Sequence, residues 1–180
     1  MNAGVPMANR GRKMAGWVAV LAALAPPLLD ARLKYTTDEC RQSYGEPVSA
    51  GVEGLLATED YRTRHYNIRV YFYKQYAVVI AYRKTDPRAR FASRELDALL
   101  EENSHGYAWD EKSFLDLAIT ATNEVERREL MLSSVERRAW RRADGMAEAR
   151  YDKLNPLFVV GYHTFWKFVR TAYSNDFPRL

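Results

Sequence analysis

The chain has 180 residues, with 27 Lys and Arg against 23 Asp and Glu, and it contains one cysteine. A lone cysteine excludes an internal disulfide framework, and a surplus of +4 is well short of the basic footprint that a nucleic-acid-binding domain carries. Part of that surplus belongs to the first thirty-one residues: subtracting their three basic and one acidic side chains leaves 24 against 22, or +2, for the remainder.

Those thirty-one residues form the first element. Arg10, Arg12 and Lys13 lead into an apolar block from Met14 to Leu29, the build of an export signal: a cationic start, a short apolar run rich in Ala and Leu, and a small residue at the exit. The block is shorter than the roughly 20 apolar residues of a membrane-spanning helix, and Pro26 and Pro27 interrupt it. Cleavage after Leu29-Asp30-Ala31 is preferred to cleavage after Ala23-Leu24-Ala25, which Pro26 follows. Cys40 lies past the apolar run without the triplet of a lipoprotein signal. The expectation is a periplasmic or secreted protein with residues 1–31 as signal and 32–180 as a single domain of about 149 residues, enough for one core. The alternative is an uncleaved N-terminus that tethers the domain, with Phe165, Trp166 and Phe168 against lipid.

Thr36-Thr37-Asp38-Glu39 is a capping box, and Gly45 and Pro47 supply a stop, so a helix is predicted from Thr37 to Tyr44. Gly51 and Gly54 read as a loose link. From Tyr61 to Lys84 the composition is that of strands. Ile68, Val70 and Phe72 alternate with Arg69, Tyr71 and Tyr73, and Tyr76 to Arg83 returns after a turn at Lys74-Gln75. Ser93 is expected to cap a second helix with Leu96, Leu99 and Leu100 on one face, ending near Asn103. Phe114, Leu117, Ala118, Ala121 and Val125 fall at helical spacing, so a helical insert is predicted from Asp110 to about Leu132. Ala143-Asp144-Gly145 marks a hairpin between strands at Val135 to Arg142 and Met146 to Tyr151. A short strand at Leu157 to Gly161 and a terminal helix at Tyr162 to Ala172, with Phe165, Phe168 and Val169 on one face, close the chain. The order is α+β: an antiparallel sheet with helices on one face, with the rhythm of two α-β-β half-repeats.

Four stretches carry a resemblance. Thr36 to Pro47, followed by the Tyr-rich hairpin, resembles the opening of small exported bacterial domains related to the β-lactamase inhibitor protein and to the outer-membrane assembly lipoproteins. Leu-Leu-x-x-Asn-Ser at Leu99 to Ser104, Gly-x-x-Trp at Gly106 to Trp109, and Trp-x-Arg-x-Asp-Gly at Trp140 to Gly145 are similar to segments of uncharacterised exported bacterial α+β proteins. The resemblance implies a fold and a compartment, and no catalytic residue comes with it.

The sequence holds no His-Glu-x-x-His, Cys-x-x-Cys, Gly-x-Ser-x-Gly or phosphate-cradling glycine loop. His65, His105 and His163 lack metal-ligand spacing, and Cys40 reads as a buried filler, so no metal, cofactor or catalytic residue is expected. The sharper feature is the Tyr and Arg face of the hairpin, read as Tyr66, Tyr71, Tyr73, Tyr76 and Tyr82 with Arg69 and Arg83, of which Arg69, Tyr71, Tyr73 and Arg83 are the candidate binding residues, since Tyr and Arg are over-represented where proteins hold partners. The competing reading is that these tyrosines fill a core. The doubled Val-Glu-Arg-Arg at Val125 to Arg128 and Val135 to Arg138, continued by Arg141 and Arg142, reads as a solvated helix surface laced with ion pairs to Glu124, Glu126, Glu129 and Glu136. The expected function is a non-enzymatic domain that binds a protein or envelope component, with no nucleic acid. The rival is a small hydrolase or carbohydrate-binding enzyme whose raw material is Glu101, Glu102, His105 and Trp109.

Overall fold

In a computed structural model, which describes residues 32–113 and 137–168, the chain forms one eight-stranded antiparallel sheet with two α-helices. The class is α+β, with most of the regular structure in the sheet. Helix α1 (Thr37–Tyr44) starts on the expected capping box. The Thr36 hydroxyl accepts from the Glu39 N–H at 3.3 Å, and the Glu39 carboxylate accepts from the Thr36 N–H at 2.8 Å. Gly45, at φ 87°, ends the helix.

Four strands follow as a meander: β1 (Ser49–Glu53), β2 (Leu56–Arg62), β3 (Tyr66–Tyr73) and β4 (Tyr76–Lys84). The segment read as a loose link is thus the edge strand β1 and its hairpin, with Gly51 inside β1 and Gly54 in the turn. Gly51 lies opposite Thr58, and strand pairing holds a segment whose side chains alone do not announce it. The β3–β4 hairpin turns at Lys74-Gln75 as expected, with both residues at positive φ, 49° and 70°.

Helix α2 (Ser93–Glu102) begins one residue earlier than a serine cap requires. Ala92 occupies the cap position with its N–H bound to the Glu95 carboxylate at 2.8 Å, and Ser93 is the first helical residue. Asn103 ends the helix and ties it back to the chain start, accepting from the Leu33 N–H at 3.0 Å.

The second half contributes β5 (Trp109–Lys112), β6 (Arg137–Arg142), β7 (Ala147–Asp152) and β8 (Leu157–Tyr162). Asp110 to Lys112 therefore belong to a strand paired with β6 and not to the start of the predicted insert, because the ladder to Arg142–Ala139 outweighs a weak helical pattern. The rest of that prediction, residues 114–132, lies outside the described residues. The Asp144-Gly145 hairpin is present. His163–Phe168 is a 3₁₀ turn where an α-helix was expected, and Val169 onward lies outside the described residues. No described helix is long and apolar enough to cross a membrane.

The strand order is β1-β2-β3-β4-β8-β7-β6-β5, so β4 and β8 meet at the centre. Their approach is close: a Cβ on Gly161 would lie 2.7 Å from Val79 Cγ2 and 3.1 Å from the Val78 carbonyl oxygen. One buried cluster unites Cys40 and Tyr44 of α1 and Leu96, Leu99 and Leu100 of α2 with Ile68, Val70, Phe72, Ile80, Tyr82, Trp140 and Phe158 of the sheet. A second cluster gathers Leu56, Tyr71, Val79, Ala81, Leu157 and Val159, with Phe165 and Trp166 packed against it. Full burial of each large side chain in these clusters contributes about 1.5–3 kcal/mol.

Candidate functional site

Strand pairing and burial first settle where the sequence candidates lie. Tyr71 is fully buried in the second cluster. Arg69 is committed to Asp60, donating from Nε at 2.7 Å to Oδ1 and from Nη2 at 2.9 Å to Oδ2, and Ser49 Oγ donates to the same carboxylate at 2.6 Å. Arg83 is half-buried. Tyr73, 37% exposed, reaches the surface at the tip of the β3–β4 hairpin and leans on Phe165 with ring centroids 5.2 Å apart. Across β3 and β4, Tyr66 and Tyr82 are buried in the first cluster, where the Tyr44 and Tyr82 hydroxyls lie 3.2 Å apart. The alternation that the sequence shows is therefore real, and both of its sides contribute to buried clusters.

Two residues of the enzymatic rival, Trp109 and His105, lie in one corner beside Arg142. Trp109 donates Nε1–H to the Leu100 carbonyl at 2.7 Å. His105, exposed at φ 51°, has its ring partly covered, and that partial desolvation and the nearby charge of Arg142 lower its pKa. Arg142 is the buried centre of this corner. It donates to Asp144 from Nε and Nη2 at 3.0 and 2.8 Å and to the Asn103 carbonyl from Nη1 at 3.1 Å, beside the rings of Tyr107, Trp109 and Tyr162. That guanidinium holds Asp144 below the usual carboxylate range, as Arg138 holds Glu111. For Glu95, burial acts upward but is outweighed by hydrogen bonds from Lys84, Ala92 and Tyr66, so its pKa falls. Burial and the charges of Glu59 and Glu39 push the Cys40 thiol up to about 12, which leaves no thiolate for nucleophilic chemistry near neutral pH. Among the described residues no group of three His, Cys, Asp or Glu is placed to hold a metal ion.

The arginines divide into two populations. Those of β6 are all paired: Arg137 with Asp152, Arg138 with Glu111, Arg141 with Glu148 and Arg142 with Asp144. Arg41, Arg69 and Arg150 hold Glu59, Asp60 and Glu148. The expected lacing of ion pairs is therefore present on β6, but in a strand and with acids from β5, β7 and the hairpin turn. Glu124, Glu126, Glu129 and Glu136 lie outside the described residues.

Arg62, Arg64, Arg88, Arg90 and Arg94 differ. All five are exposed, and none has an ion-pair partner among the described residues. They share one end of the β2–β3–β4 sheet. Arg62 ends β2, Arg64 stands in the β2–β3 turn, Arg88 and Arg90 in the link after β4, and Arg94 in the first turn of α2. The Thr85 N–H bonds the His65 carbonyl at 3.0 Å, which fastens the link to the turn. Arg94 sits where the helix dipole repels a cation. Composition could not reveal this group, because its five charges are diluted in a chain of near-zero balance; adjacency of turn and link brings them together.

No family model, no curated protein and no solved structure matches this chain.

Proposed function

We propose that the chain is an exported, non-enzymatic domain that binds an acidic partner protein of the cell envelope through the arginine end formed by Arg62, Arg64, Arg88, Arg90 and Arg94. One observation carries this reading. In a molecule where arginine after arginine is matched to a carboxylate, these five are exposed, have no ion-pair partner among the described residues, and stand at one end of the β2–β3–β4 sheet. Like charges held together cost stability, and an acidic ligand relieves that cost with bidentate hydrogen bonds suited to guanidinium groups. The cationic start and apolar run of residues 10–29 support the envelope compartment in this reading. Of the Tyr and Arg face, Arg69, Tyr71 and Arg83 serve the interior, and Tyr73 is the member with surface to offer. We also infer that α1 and α2 cover the same sheet face, since their buried residues share one cluster, and that the two helix-plus-four-strand halves about β4 and β8 are the half-repeats.

The test is in-cell cross-linking at the arginine end followed by identification of the captured protein. The triple variant Arg88→Glu, Arg90→Glu, Arg94→Glu is expected to lose an acidic partner that the parent protein captures, and raised salt is expected to weaken the parent's capture in the same way. Equal capture by the parent and the reversed-charge variant overturns the assignment. So does retention of the parent on a phosphate polymer in preference to any protein.

A further inference from the structure

The opposite end of the same four strands is built from different material. The β1–β2 turn presents Leu55, 72% exposed, and the β3–β4 turn presents Tyr73 and Tyr76, the latter 54% exposed. Register places both turns at one end, because Glu53↔Leu56 and Tyr73↔Tyr76 are the closing pairs of their hairpins. Two strand spacings separate the tips, about 10 Å. Val52 is exposed just below the first tip. The cations here are Lys74, whose Nζ lies 5.4 Å from the Tyr73 ring centroid, and the exposed Lys34. Lys74 and Gln75 adopt the left-handed region at the tip itself, at a cost of about 1–2 kcal/mol per residue. An Asn-Gly pair would make this turn cheaply.

The chain path says what this end faces. Lys34 N–H bonds the Ala77 carbonyl at 2.8 Å, Ala77 N–H bonds the Tyr35 carbonyl at 2.7 Å, and Thr36 bridges to Tyr76. The start of the described chain is therefore fastened beside Tyr76. Leu29, the last residue of the apolar block, precedes Arg32 by three positions. Three extended residues reach at most about 10 Å, close to the thickness of one headgroup layer, about 5–8 Å. An apolar block held in a bilayer therefore keeps the Tyr76 end of the domain within about 10 Å of the bilayer.

We propose that the hairpin tips, through Leu55, Tyr73 and Tyr76 with Lys74 and Lys34, rest on the surface of an anionic bilayer. Tyrosines belong at the level of the headgroups, the leucine enters below them, and the lysines meet anionic headgroups. The contact is made by the tips' own side chains and does not depend on whether residues 1–31 are later removed. Phe165 and Trp166, which the tether reading places against lipid, pack on the sheet instead. The arginine end then points away from the bilayer toward its partner.

The experiment uses the protein as purified after export, with vesicles of phosphatidylglycerol and phosphatidylethanolamine that carry a headgroup nitroxide. Cys40 is buried, so a fluorophore can be placed on Leu55→Cys at the tips or on Leu154→Cys, which is 73% exposed at the other end. Both sites are solvent-facing, and the labels leave the core intact. The expected result is loss of emission at position 55 and none at position 154, with the loss at 55 abolished by Tyr73→Glu with Tyr76→Glu. Equal quenching at the two sites, or no quenching at either, overturns the proposal. Concentration-dependent self-association that buries the label at 55 without vesicles also overturns it, in favour of a second copy as the occupant. Cross-linking of the acidic partner through the arginine end is read separately, so the two assignments fail independently.

Discussion

The two ends of the β1–β4 sheet differ in how they treat charge and apolar surface. At the tip end, Leu55, Tyr73 and Tyr76 are exposed, and the nearby guanidinium of Arg142, beyond the centre of the sheet, is buried and matched to Asp144 and Asn103. At the other end five guanidinium groups are exposed and unmatched among the described residues, over a core closed by Tyr66, Phe91 and Tyr151. Arginine in this fold is thus structural where it is paired and available where it is not, and pairing depends on which strands bring an acid alongside. Residue type alone does not separate the two.

Substitutions that act oppositely on the two populations sharpen this contrast. Removing the paired, buried member by Arg142→Leu takes the guanidinium from the Asn103 carbonyl and from Asp144, which keeps only the Met146 N–H, and a loss of about 3–5 kcal/mol is expected in urea unfolding from the two lost contacts. A stability change within experimental error would break the distinction. Next in size is Gly161→Ala at the β4–β8 seam that joins the halves. A methyl 2.7 Å from a β-branched Val79 has no easy retreat, and a loss of about 1–3 kcal/mol is expected from overpacking. At the tip, Lys74→Asn with Gln75→Gly relieves the left-handed strain and is expected to raise stability by about 1–2 kcal/mol. Thermal unfolding reads that gain directly.

At the arginine end the sign reverses relative to Arg142. Arg94→Glu exchanges a cation for an anion at the start of α2, so stability is expected to rise by about 0.3–1 kcal/mol while partner capture falls. A variant that loses both stability and capture would make Arg94 a structural residue. The smallest effect is the pH response. Arg142 lowers Asp144 from its ordinary value of 3.8, and Arg138 lowers Glu111 from 4.5. A carboxylate whose folded pKa is depressed stabilises the fold fully above its unfolded pKa and loses that contribution as pH falls through the folded value. Unfolding midpoints are therefore expected to be level from about pH 7 to 5 and to drop below about pH 4, less steeply in Arg142→Leu.

Local signals were legible wherever a few neighbouring residues fix the backbone. The Thr36 and Glu39 capping box, the alternating β3–β4 hairpin, the Leu96, Leu99 and Leu100 stripe and the Asp144-Gly145 turn all stand where the pattern puts them. The failures came where pairing supplies what the side chains lack. Ser-Ala-Gly-Val-Glu has no strand pattern of its own, yet it forms β1 because β2 offers it a ladder. Asp110 to Lys112 follow β6 instead of the helical spacing that begins after them. The alternation of Ile68, Val70 and Phe72 with Tyr71 was legible, but Tyr66 and Tyr82, grouped with Tyr71 by residue type, lie in the other buried cluster, and alternation says that faces differ and not what covers each.

The sequence by itself determined the α+β class, the positions of both helices and the central hairpins, and the absence of familiar catalytic motifs, because each depends on residues within a turn or two of one another. Only the tertiary structure decided the strand order with β4 against β8, the burial of Tyr71, the pairing of the β6 arginines, and the gathering of Arg62, Arg64, Arg88, Arg90 and Arg94 at one end with Leu55, Tyr73 and Tyr76 at the other. These depend on contacts between residues distant in the chain, whose free energy comes from shared burial and matched charge and leaves no short-range pattern to read.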